Sequence, residues 1–179
     1  MANNTQKIIY DAFSNMLDHM PFDKITVTAL IKECNISRNT FYYHYEDIYA
    51  LLDEVLASVL KKYNDATKEY KLQDVLKTLL YDCRENQKKI YNIFNSLSRD
   101  RMDRYIFNQA NSIITYRIMK LATQHNVEKE RADAVSNIVR YSIYGFFIQF
   151  LWDDMKGDIE ESVDNLCQIY NELIESMLV

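Results

Sequence analysis

Residues 37–45 read Ser-Arg-Asn-Thr-Phe-Tyr-Tyr-His-Tyr, a run rich in groups that bind and poor in groups that make or break bonds. Arg38 offers a planar fork of donors, Asn39 a paired donor and acceptor, Thr40 a hydroxyl beside a methyl, and Tyr43 a phenol on a rigid ring. Side chains of this chemistry and moderate length read base edges when a helix lies in the major groove of DNA. An Arg fork suits guanine and an Asn amide suits adenine. Catalytic sets of comparable definition are missing. With Gly145 and Gly157 as the only glycines there is no G-x-G-x-x-G, no phosphate-cradling loop and no G-x-S-x-G elbow, and no H-E-x-x-H occurs. The residues three before His19, His44 and His125 are Met16, Phe41 and Ala122, not the Glu a di-iron bundle needs. The expectation is no catalytic residue, no metal and no cofactor, with His19 and His125 as surface or capping groups. Arg99 to Arg104 reads as a solvated, mutually paired helix start.

The elements that position these groups must be helical. Two glycines and one proline, Pro21, leave too little turn chemistry for a many-stranded sheet, and 179 residues at 48% hydrophobic content can bury a real core. Cys34, Cys83 and Cys167 are odd in number and form no C-x-x-C pair, so neither a disulfide framework nor a zinc site is expected, and a reducing cytosol fits best. Met1 to Lys7 lacks an apolar signal core, and the apolar run Tyr141–Trp152 is too short to span a bilayer. A soluble, cytoplasmic protein with no membrane partner is expected.

Charge argues against an indiscriminate nucleic-acid binder. Net charge is −5; residues 1–50 carry four cations, Lys7, Lys24, Lys32 and Arg38, against six anions, which leaves −2 there and −3 in the remainder. DNA binding would rest on local placement of donors, with a modest general electrostatic contribution.

Periodicity places the elements. Ile8, Ile9, Ala12, Phe13, Met16, Leu17 and Met20 repeat at helical spacing and stop at Pro21. Thr26 is a helix N-cap ahead of Val27, Leu30 and Ile31, a short helix ending at Cys34. Asn35 can take the left-handed conformation a tight turn requires, Ile36 is a buried plug, and Ser37 caps a helix over Arg38–His44. Glu46 and Asp47 precede a fourth helix through Leu60, followed by a polar stretch, Lys61–Lys71. Helical spacing resumes over Leu72–Glu85, Gln87–Asn95, Arg101–His125, Glu128–Met155 and Asp158–Leu178. The fold class expected is all-α, with a three-helix helix-turn-helix domain over 1–46 and a helical bundle over 47–179, of which 47–63 is a connecting helix.

The string Ile25-Thr-Val-Thr-Ala-Leu-Ile-Lys-Glu-Cys-Asn-Ile-Ser-Arg-Asn-Thr-Phe-Tyr-Tyr-His-Tyr45, followed by Leu51-Leu52, resembles the DNA-binding module of the TetR family of bacterial transcriptional regulators. More loosely, Lys88–Phe94 and the aromatic helix ending at Trp152 resemble family members from low-GC Gram-positive bacteria. The family usually has glycine where this chain has Asn35, and a phosphate-contacting lysine where it has Ile48.

The resemblance implies that Arg38, Asn39, Thr40 and Tyr43 face DNA and that Tyr42 and His44 touch backbone phosphate. Thr28, at the start of the preceding helix, and Lys24 would support phosphate binding. Phe41 falls on the inward side and is assigned to packing. The resemblance also implies a ligand cavity among the middle helices, with Tyr81, Phe94, Phe107, Ile114, Tyr141 and Phe147 as candidate lining for a small hydrophobic or aromatic inducer. The last two helices carry apolar stripes fit for a homodimer interface through Ile143, Phe146, Phe150, Trp152, Val163, Leu166, Tyr170 and Leu173. The expected function is a ligand-responsive repressor acting as a homodimer on a near-palindromic operator. An activator and a helical protein-interaction module are the alternatives, the acid excess favouring the module, and a small-molecule binder with enzymatic turnover ranks last.

Overall fold

Pro21 has no N–H to carry a helix past it, and α1 (Ala2–His19) closes with the Met20 N–H donating to Met16 O, ahead of a 3-10 turn at Phe22–Lys24. The computed structural model describes residues 2–178, apart from the side chains at 2, 3, 64, 67–69, 99, 102, 106–114 and 178. Thr26 accepts the Ala29 N–H at 3.1 Å and starts α2 (Val27–Glu33). Ser37 accepts the Thr40 N–H at 3.0 Å and starts α3 (Arg38–His44), while Asp47 accepts the Ala50 N–H at 2.8 Å at the head of α4 (Ile48–Glu69). The remaining elements are α5 (Leu72–Glu85), α6 (Gln87–Phe94), α7 (Arg99–Gln124), α8 (Lys129–Trp152) and α9 (Ile159–Leu178). Among the described residues there is no strand, as the all-α reading requires, and no helix long and apolar enough to cross a membrane.

A chain this poor in glycine makes its left-handed turns with other residues. Asn35 sits at φ 51, its N–H reaching Lys32 O at 3.3 Å and the Ile36 N–H reaching Ile31 O at 3.0 Å, which closes α2 in a Schellman motif. Asn126 repeats the device after α7 at φ 53, with the Val127 N–H on Ala122 O at 2.9 Å. Asp154 and Met155, both at φ 56, end α8.

The helices form two compact units. The first comprises residues 1–62 and 86–98. Its core stacks Ile9, Phe13 and Leu17 of α1 against Phe22, Leu30, Phe41, Leu51 and Leu52, all buried, and α6 adds Ile93. Polar ties strap α6 to α1: Lys89 reaches Ser14 and Asp18 at 2.9 Å each, and the Asn92 amide donates to Leu17 O at 2.8 Å. The unit is therefore larger than residues 1–46, because α6 packs on the helix-turn-helix although its chain neighbours α5 and α7 belong to the other unit.

The second unit comprises residues 63–85 and 99–179, with α7 packed on α8 and α5 on α9. Lys77 of α5 bridges Glu160 at 2.6 Å and Asp164 at 2.5 Å on α9. Arg84 holds the α8–α9 connection by donating to Met155 O and Gly157 O at 2.8 Å each. The polar stretch after Leu60 does not interrupt α4. Helix-compatible side chains run on to Glu69, and the buried ring of Tyr63, whose hydroxyl donates to Asp82, gives this end of the helix an anchor.

The Asn35 turn gives a direct stability test. Asn35→Ala forces a Cβ-bearing residue without a local polar side chain into the left-handed region and is expected to cost about 1 kcal/mol. Asn35→Gly is expected to be neutral or stabilising. Denaturant unfolding of the three proteins measures both.

Candidate nucleic-acid interface

The candidate recognition element is α3, seven residues long and fixed from below. At helical spacing Phe41 and Tyr45 share one side, and both are buried, at 0% and 4% exposure. Their rings lie 5.7 Å apart. The opposite side brings together Arg38, Asn39, Tyr42 and Tyr43, all exposed, with Tyr43 the most open at 79%. The Arg38 guanidinium lies 5.8 Å from the Tyr42 ring centroid, an arrangement that preserves its donors while limiting its swing.

The other expected contacts divide. Thr40 is half-buried, and its hydroxyl lies 2.8 Å from Ser37 Oγ, so it serves the helix cap as much as the outer face. His44 is half-buried beneath an edge-on Tyr43 ring at 5.0 Å. Thr28 is exposed in the first turn of α2. Lys24 is exposed but pairs with Asp23 at 3.4 Å, which tempers its value as a free cation.

Electrostatics look different once the compact unit replaces the first 50 residues. The first unit holds eight Lys or Arg, including Lys88 and Lys89 of α6, against eight Asp or Glu, so it is neutral. The entire acid excess lies in the second unit. Phosphate repulsion by the recognition unit is correspondingly weaker than residues 1–50 suggest.

The family model described as a transcriptional regulator C-terminal region, of TetR type, matches residues 70–172, more than half of the chain. The chain belongs to the TetR family of transcriptional regulators. Regulators of this type bind DNA and typically dimerise. Two solved structures share the fold of this regulator. One is the dihydroxyacetone kinase operon activator DhaS, 18% identical with a TM-score of 0.73 over 98% of each chain. The other is a TetR transcriptional regulator from Streptococcus agalactiae 2603V, 21% identical with a TM-score of 0.67 over 97% of this chain and 94% of that one. No curated protein matches the sequence.

In the second unit the candidate ligand and dimer residues take mixed positions. Of the candidate ligand residues, Tyr81 is 40% exposed with its hydroxyl on Glu160 at 3.1 Å, and Tyr141 is 61% exposed. Phe147 is half-buried, Phe94 belongs to the first unit, and the side chains of Phe107 and Ile114 lie outside the described residues. A recess of about 160 Å³ does exist, lined by Leu80, Phe146, Phe150, Asp153 and Lys156 among others. None of the four candidates whose side chains are described lines it, and it is smaller than the roughly 300 Å³ at which drug-sized sites begin.

The candidate dimer residues are spread over buried, half-buried and exposed positions. Ile143, Phe150, Val163 and Tyr170 are buried within the unit itself, and Phe146, Leu166 and Leu173 are half-buried. Trp152 alone of the eight is exposed, at 66%. Ile138, Tyr141, Gly145, Gln149 and Trp152 form one continuous exposed stripe along α8, and Ile169 is 65% exposed on α9. A helix apolar nearly all round does not reveal which stripe its own chain will cover. Here the strongest stripe went to the core and the weaker one stayed outside.

The division of α3 into two faces predicts a contrast in stability. Tyr43→Ala should leave unfolding within about 0.5 kcal/mol of the parent, as an exposed substitution does. Phe41→Ala should cost about 3–5 kcal/mol through the cavity it leaves. Thermal and denaturant melts of the two variants check this.

Proposed function

We propose that this regulator binds a near-palindromic double-stranded operator in the cytoplasm as a homodimer and represses transcription until a small ligand releases it. The observation that carries the reading is the outer face of α3, where Arg38, Asn39, Tyr42 and Tyr43 stand exposed over a rigid apolar base. Apart from the Tyr42 ring beside Phe41, such a face adds little to the core, and its donors suit base edges and phosphates. Thr28 at the head of α2 and His44 are assigned to phosphate, and Thr40 contributes its methyl beside its capping bond. Lys24 adds a partly neutralised charge.

Homodimerisation is assigned to the exposed α8 stripe with Ile169 of α9, in place of the buried residues first considered. Large apolar side chains grouped on one exposed helix face are the usual mark of a covered surface, and a two-fold axis would set the two α3 helices about 34–36 Å apart. Ligand response is assigned to the second unit. A ligand that favours a conformation with a different α3 spacing shifts the population off the operator, with no further requirement. Activation is a second reading with an observation in its favour, since one solved structure sharing this fold is described as an operon activator. A promoter fusion, with transcription rising or falling on deletion of the regulator, separates the signs.

Two outcomes are expected. The protein should bind the DNA upstream of its own gene in preference to a shuffled duplex, with affinity falling steeply as salt rises. Arg38→Ala and Tyr43→Ala should each cost about 1–3 kcal/mol of that preference. Absence of selective binding across a random-sequence pool would favour the protein-interaction module. For the dimer, emission from Trp152, the single tryptophan, should shift to shorter wavelength as concentration rises, and Ile138→Glu with Tyr141→Glu should abolish the shift. Emission independent of concentration in a protein that sediments as a dimer would place the interface elsewhere.

A further inference from the structure

Apolar packing holds α3 on the core, but burial has no direction, and the close setting of its rotation falls to bonds that do. Its N-terminal cap, Ser37 with Thr40, stays within the helix. At the other end Tyr45 leaves the helix in extended conformation, at φ −137 and ψ 132, with its N–H on Phe41 O at 2.9 Å. The Tyr45 hydroxyl crosses to α4 and donates to Glu54 Oε1 at 3.1 Å. The same carboxylate accepts from the Gln6 amide of α1, at 3.3 Å to Oε1 and 3.0 Å to Oε2. One carboxylate thus ties the end of the recognition helix, the first helix and α4 at a single point, by bonds that do have direction.

We propose that Glu54 is a positioning residue for DNA reading: it fixes the rotation of α3 through the Tyr45 hydroxyl and so keeps Arg38, Asn39 and Tyr43 presented together. This rests on the DNA-binding reading above. Glu54 is half-buried and sits ten residues beyond the end of α3, so its role is transmitted through Tyr45 and not by contact with the operator. Burial of Tyr45, reinforced by the Glu54 charge and opposed by Gln6, pushes the phenol up to about 12, so it remains a donor throughout the physiological range. When the tie is cut, α3 samples rotations that present only part of its outer face. Apparent affinity then falls by the fraction of molecules still competent. A hydrogen bond to a charged acceptor holds the competent state roughly tenfold over its alternatives.

The test uses the full chain, duplexes selected by the parent protein from a random-sequence pool, and five variants. Tyr45→Phe and Glu54→Ala should each weaken binding to the selected duplex roughly tenfold, and the double variant should be no weaker than either single one. Non-specific binding should change little. Glu54→Gln, which keeps an acceptor for Tyr45 and lets Gln6 turn its amide, should restore most of the affinity. Ile9→Val, a core change in the same unit, controls for stability and should leave affinity intact. Amide exchange supplies a readout that needs no DNA: protection over Phe41–Tyr45 should drop in Tyr45→Phe while the melting transition stays close to the parent's. Parent-like affinity and parent-like protection in Tyr45→Phe would overturn the proposal, as would an affinity loss that Ile9→Val reproduces at equal destabilisation. Failure of the parent itself to select any duplex would count against the DNA reading, and the exchange result would then decide the positioning role alone.

Discussion

A seven-residue helix does not persist in water by itself, so everything the regulator can present to DNA depends on what holds α3 from beneath. Phe41 is that support. Fully buried among residues of α1, α2 and α4, it converts a marginal helix into a rigid platform, and the Ser37 cap completes its first turn. Of the outward side chains Tyr42 sets its ring edge-on 5.4 Å from that of Phe41, while Arg38, Asn39 and Tyr43 stand exposed for recognition. Structure and chemistry are separated on two faces of one short helix.

The same economy governs the rest of the first unit. Its turns use Asn and capping hydroxyls where glycine is scarce, which ties each short helix to a defined neighbour through backbone bonds. The inclusion of α6 means that the helix-turn-helix unit is closed by a segment whose flanks are α5 and α7. Lys89 and Asn92 hold that segment on α1.

The short helices and their caps were legible in the sequence because their signals are local. Thr26, Asn35 and Ser37 each act within a few residues of themselves, and Phe41 falls inward by period alone. Tertiary choices were not legible. Helix α8 is apolar on most of its circumference, so period could not say that Ile143 and Phe150 face inward while Ile138, Tyr141 and Trp152 stay outside. The Tyr45–Glu54–Gln6 tie joins residues far apart in sequence, and α6 joins the first unit through Ile93, Lys89 and Asn92, contacts that no local pattern marks. Tyr81 looked like a cavity aromatic until Glu160, on a helix near the far end of the chain, accepted its hydroxyl.

The central claim is that two copies of the outer face of α3 read DNA. Hydroxyl-radical footprinting on the upstream duplex addresses it most directly. The account predicts two protected patches on one side of the duplex, their centres about one helical turn apart, roughly 34–36 Å, both lost in Arg38→Ala. A footprint unchanged by that substitution, or protection confined to one uninterrupted patch with no repeat, would contradict it.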